Sequence, residues 1–228
     1  MAIFEPKDAG HISPRGLVKA QQIIAQKNNC DLLDSIATKI YKPPDSNDFV
    51  IEAKSAHGLQ QIHAKSVVLA VGAYVNMNSL IKDILPQDKS GFEPDLSLET
   101  QTVAYLQVSP AEAQRLRQMP SVVTNYHCGK LDGTYILPPI LYPDGKHYLK
   151  LGHGDVFEIN VKTPEQMHDW YAEGTGVPEA VEALADFIKG HFIPSLEVKS
   201  VHGGCCVTSN VIFIGFFNSI FIEFFFLN

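Results

Sequence analysis

From Ser13 to Lys27, in SPRGLVKAQQIIAQK, apolar side chains return at Leu17, Ala20 and Ile24, the spacing of one buried helix face. Ser13 is a good N-cap and Pro14 suits the first helical position, where a missing N–H costs nothing. Asn28 and Asn29 end the segment. The period then changes. CDLLDSIATKIY, DFVIEAKS and LQQIHA read as short β-runs, divided by the turn signals KPPDSND and SAHG. KSVVLAVGAYVN follows, a continuous apolar run of strand length that predicts a strand covered on both faces, usually a parallel one.

After a polar, proline-marked stretch from Leu85 to Leu98 the texture changes again. ETQTVAYLQV, GTYILPPILY and KHYLKLGHG predict long strands of an antiparallel sheet. Between them SPAEAQRLRQM predicts a helix, with Ser109 as N-cap and Pro110 behind it. TPEQMHDWYAEG carries Thr163, Pro164 and Gln166 in capping-box order, and VPEAVEALADFIKGHF is a further amphipathic helix. The order predicts an α/β part joined to an antiparallel α+β region, with the join near residue 90.

The last 18 residues, Val211 to Asn228, break the pattern: they hold seven of the thirteen Phe and a single charge, Glu223. A membrane-spanning helix needs about 20 apolar residues; this run is interrupted by Asn218, Ser219 and Glu223 and has no Lys or Arg anchor beside it. Three readings stand open: an anchor, a buried strand pair, or sequence foreign to the domain that precedes it. The third is favoured.

Composition narrows the function classes. A net charge of −7 and no run of Lys or Arg argue against a nucleic-acid surface. Hydrophobic residues at 45% suit a globular protein able to bury a sizeable core. Cys30, Cys128, Cys205 and Cys206 lack Cys-x-x-Cys spacing, and MAIFEPKDAGH lacks a secretory pattern, so reduced thiols in the cytoplasm or another intracellular compartment are expected.

The chemistry-bearing motifs are few. A buried strand ending in Gly72-Ala73 lets backbone approach a ligand closely, and ligands of open α/β sheets sit beyond such strand ends; an ordinary strand-ending turn explains the same residues. GHGDVF (152–157) and GTGVPE (174–179) fall short of G-x-G-x-x-G in their third position and in their surroundings, so neither is expected to cradle phosphate. No G-x-S-x-G or H-E-x-x-H is present. His147 and His153 would share a strand face, but further metal ligands are not in view, and no metal site is expected.

Taken in order, DAGHISPRGLVKAQ, VVLAVGAYVN, GTYILPPILYPDGKHYLKLGHG and SVHGGCCVTSN resemble the FAD-dependent oxidoreductases of the D-amino-acid oxidase and sarcosine oxidase superfamily, from about Glu5 to Asn210. The resemblance implies an FAD-binding α/β domain interleaved with a substrate domain built on a large antiparallel sheet. On that basis residues 1–90 are a partial FAD-binding domain, 91–200 the substrate domain, 201–210 a return to the first, and 211–228 a non-homologous tail. It places Gly72 and Ala73 near the flavin, Ile36 on its adenine side, and Tyr135, Lys150 and His153 on the substrate side. The pattern KLGHG sets His153 one position early, which on a strand turns the side chain to the other face. Cys205 aligns with the cysteine through which sarcosine oxidases attach FAD.

The resemblance also marks what the chain lacks: the glycine-rich βαβ unit that holds the pyrophosphate of FAD, and the flavin-covering stretch beyond Asn210. The function implied is oxidation of C–N bonds of small amines or amino acids by hydride transfer to FAD, with no nucleic-acid partner and no membrane. The alternative is a truncated, non-catalytic relative acting as an interaction module or an aberrant product.

Overall fold

The computed structural model describes residues 3–7, 9–72, 80, 97–154, 157–209, 216–217 and 220–222. Contacts divide the chain into two units. One comprises residues 13–98, 162–164 and 209–228; the other comprises residues 1–12, 99–161 and 165–208.

The first unit begins with helix α1 (Pro14–Lys27). Ser13 caps it, its Oγ accepting from Gly16 N–H at 3.2 Å. At the far end Asn28 donates its side-chain amide to Ile24 C=O at 2.8 Å, and Asn29 takes the left-handed φ of 60° that stops the helix. The expected stripe is not a buried one: Leu17 and Ile24 are 42% and 59% exposed, and α1 buries none of its residues. The buried side chains of this unit include Ile40, Phe49, Val50 and Ala53 on the strands that follow, with Leu69, Leu80 and Leu98.

Those strands, β1 (Ile36–Tyr41), β2 (Phe49–Ser55) and β3 (Gly58–Ala64), form an antiparallel sheet in chain order. Ser55 closes the β2–β3 turn by accepting from His57 N–H at 3.1 Å, while Gly58 takes a φ of 117° that other residues rarely adopt. A fourth strand, β4 (Val67–Leu69), covers the first part of the apolar run.

The second unit is built on five strands, β5 (Leu98–Val108), β6 (Val122–Cys128), β7 (Leu131–Leu141), β8 (His147–Gly154) and β9 (Val198–Ser209), in the order β6-β7-β8-β5-β9. The pairings β6–β7, β7–β8 and β5–β8 are antiparallel, matching the long alternating runs of the sequence. The register of β7 shifts between Leu137 and Ile140, where Pro138 and Pro139 sit. Neither proline has an N–H to give the ladder, so one extra residue is spent there as a bulge.

Helix α2 (Pro110–Arg115) follows β5, capped by Ser109 Oγ, which accepts from Glu112 N–H at 3.0 Å. Helices α3 (Pro164–Glu173) and α4 (Pro178–Phe187) come between β8 and β9, and α4 runs on into a five-residue π-helical turn, Ile188–Phe192. Alternation decides which sheet face is the core. Ala104, Leu106, Ile136, Leu149 and Leu151 cluster with Val181, Leu184 and Ile188 of the α4 segment. Their sequence neighbours point the opposite way.

In the tail, β10 (Phe216–Phe217) and β11 (Ile220–Ile222) pair antiparallel, and β11 runs parallel to β4 with Ile220 opposite Val67. The described part of the tail is thus a strand pair. Among the described residues, no helix is long and apolar enough to cross a membrane. The molecule is a mixed α/β protein with antiparallel sheets.

Candidate functional site

The site is built on the sheet face of the second unit that α4 does not cover. Tyr105 on β5 stands directly opposite Lys150 on β8, and Tyr135 on β7 stands opposite Gly152, two residues further along β8. A period of two puts Lys150 and Gly152 on one face, away from Leu149 and Leu151.

Two glycines let the tyrosine rings lie down on the sheet. A Cβ at Gly152 would collide with the ring and hydroxyl of Tyr135. A Cβ at Gly204 on β9 would come 2.5 Å from the Tyr105 ring. Each ring therefore fills the space that the neighbouring strand leaves by having no side chain. Between them runs Lys150, its Nζ 5.8 Å from the Tyr105 ring centroid and 6.0 Å from that of Tyr135. The result is an aromatic floor of two rings with one cation near both, an arrangement in which ring quadrupole and ammonium attract.

The electrostatics follow from burial. Burial pushes the Tyr135 hydroxyl well above the usual phenol range, helped by Cys206, Tyr105 and Tyr142. Burial pulls the Lys150 ammonium down, with the Cys206 sulfur opposing. The Cys206 thiol is pushed up by burial and drawn partly back by Lys150.

A second aromatic group borders this floor. Tyr105, Tyr142 and Tyr148 meet edge to face at centroid distances of 5.3 to 6.2 Å, and His202 packs against Tyr148 at 6.1 Å. Tyr148 donates its hydroxyl to Asp144 at 2.8 Å. Ser200 donates its single O–H to Gln107 Oε1 at 2.9 Å, so the contact of 2.7 Å to His202 is one in which Nε2–H donates to Ser200 Oγ.

Of the residues singled out in the sequence, the structure brings Tyr135 and Lys150 together. It separates His153 from them. That side chain shares the parity of Leu149 and Leu151, is 6% exposed, and packs edge to face on Phe157 at 5.5 Å. It lies on the covered face, not on the face that carries Tyr105 and Lys150. Cys205 is likewise turned away: its thiol is pushed up by burial and by Glu173 of α3, on the helical side. The thiol at the floor is Cys206, whose main-chain carbonyl accepts the Trp170 indole N–H at 2.9 Å. Ile36, at the start of β1, is 73% exposed, and Gly72, a few residues past β4, takes a left-handed φ of 54°. Both belong to the other unit. Ala73 lies outside the described residues.

Tyr105 and Gly204, which the sequence did not single out, also line the floor. Tyr105 was legible only through its register with Lys150. The pair Cys205-Cys206 carries no local signal for which sulfur faces which side. Among the described residues, no group of His, Cys, Asp and Glu is placed to hold a metal ion.

No family model and no curated protein matches this sequence. Solved structures do match in fold. A thermally stable mutant of fructosyl peptide oxidase superposes with a TM-score of 0.58 at 14% identity, over 92% of this chain and 48% of its own. A modified fructosyl peptide oxidase from Aspergillus nidulans gives 0.56 at 15% identity, over 91% of this chain and 48% of its own. The chain shares their fold and spans about half their length.

Proposed function

We propose that this chain is a flavin-dependent oxidoreductase acting on C–N bonds of amines or amino acids. The observation that carries the reading is the floor made by Tyr105 and Tyr135 over Gly204 and Gly152, with Lys150 between the rings. A flat conjugated ring stacks on such a floor with little loss of conformational freedom, because the tyrosines are already seated. The fold shared with fructosyl peptide oxidases supports the oxidoreductase part of this reading.

A bound flavin, as FAD, supplies the hydride acceptor that no amino-acid side chain provides. The chain's own residues then have separable duties. Tyr105 and Tyr135 support the ring system. Lys150 offers positive charge to a carboxylate of the substrate or to negative charge that develops beside it. Tyr135 keeps a proton for hydrogen bonding. Cys206, rather than Cys205, is the thiol at this face. Ile36, Gly72 and Ala73 are proposed as contacts for the rest of the cofactor. None of these residues is assigned to the pyrophosphate, and a second reading is a non-catalytic relative acting as an interaction module. An intracellular setting agrees with four free cysteines.

The test is direct. Purified chain incubated with FAD or riboflavin and desalted should retain the flavin spectrum, and Lys150→Met should weaken that retention about tenfold, the order of a desolvated cation–π contact. A chain that stays colourless with both ligands rejects the enzyme reading and leaves the second.

A further inference from the structure

Away from the tyrosine floor, a thiol and an imidazole are joined across two elements. Cys128 closes β6 beside the turn Gly129–Lys130, and its Sγ lies 3.1 Å from Nε2 of His191 in the π-helical turn. The imidazole is seated by Phe187, a buried ring at 5.4 Å. Cys128 is half-buried and His191 exposed, so the pair lies at the surface of its unit. The hairpin beside the pair carries Lys130 and also His127, which contacts Asp132 at 2.9 Å; the turn carries Lys189. A nucleophile in hydrogen-bond reach of a base that is held by a third group is the arrangement that activates cysteine.

The other three thiols give the contrast. Burial pushes Cys205 and Cys206 up, away from the reactive thiolate, and Cys30 is simply exposed.

We propose that Cys128 and His191 form a thiol-exchange site that takes small-molecule disulfides. His191 Nε2 accepts the proton of the Cys128 thiol, and the thiolate attacks one sulfur of the disulfide. The S–S bond of the reagent breaks, a mixed disulfide forms on Cys128, and the departing thiolate takes the proton from the His191 imidazolium. Cys128 sulfur is oxidised, and the sulfur that leaves is reduced to a thiol.

Oxidised glutathione is the probe. The full chain is incubated with it at neutral pH, quenched in acid, digested, and each cysteine is read by mass spectrometry. Cys128 should form the mixed disulfide about tenfold faster than Cys30, a modest share of what a positioned base contributes. His191→Gln should bring Cys128 down to the Cys30 rate with the circular dichroism unchanged, and imidazole in the buffer should restore the rate in His191→Ala. A Cys128 rate in the unmodified chain no greater than that of Cys30 overturns the proposal whatever the variants do. So does a His191→Gln rate equal to the parent's.

Discussion

Two tyrosines lie over the sheet where two glycines make room for them. Gly152→Val would push the Tyr135 ring off β8. The expected cost is about 1–3 kcal/mol, the usual range for overpacking, read as a lowered midpoint in urea, together with loss of flavin retention. An unchanged midpoint would mean that the ring has another place to go. Much of this was legible beforehand. A period of two on GTYILPPILY and KHYLKLGHG sets Tyr135 and Lys150 on defined faces and turns His153 away from Lys150. The choice between Cys205 and Cys206 was not, because adjacent sulfurs point to opposite sides and only the register of β9 decides between them.

Helix starts were the best-marked elements. Ser13-Pro14 and Ser109-Pro110 both supply a capping oxygen and a residue that needs no N–H partner, and both helices begin there. The apolar stripe of α1 is not buried among the described residues, because periodicity reports that a face can be covered, not what covers it. Helix α2 shows what does hold an element in place. Glu112 is buried, receives Arg115 at 2.6 and 2.7 Å, and accepts from Glu197 N–H at 3.2 Å. The Arg115 hydrogen bond, against the cost of burial and with help from the Glu197 amide, holds its carboxyl below the usual range. A depressed carboxyl adds stability that is present above the pH where the unfolded side chain titrates, about 4.3, and is lost as pH falls through the lower folded value. Glu112→Ala should therefore cost about 1–3 kcal/mol near neutral pH, a gap that narrows in acid. A gap constant down to pH 3, measured by denaturant titration, would contradict this account.

Over the whole chain, stability is expected to be uneven between the two units. Of the largest fully buried side chains among the described residues, Thr102, Leu106, Ile136, Leu149, Leu151, Met167, Leu184 and Ile188 lie in the five-stranded unit and Ile40 alone in the other, whereas α1 buries nothing. Amide hydrogen exchange should accordingly be slowest in β5, β7 and β8 and fast throughout α1. Protection of α1 equal to that of β8 would show that its stripe is covered after all. The coarse fold class, mixed α/β with antiparallel sheets, could be read from the order of runs. One detail of the sheet bears on how such a chain can change over generations. The spare residue at Pro138-Pro139 separates the phase of β7 near the tyrosine floor from its phase at the distal hairpin. Insertions or deletions in the hairpin at Tyr142–Lys146 can be absorbed at that joint, so the outer loop is free to drift while Tyr135 keeps its seat.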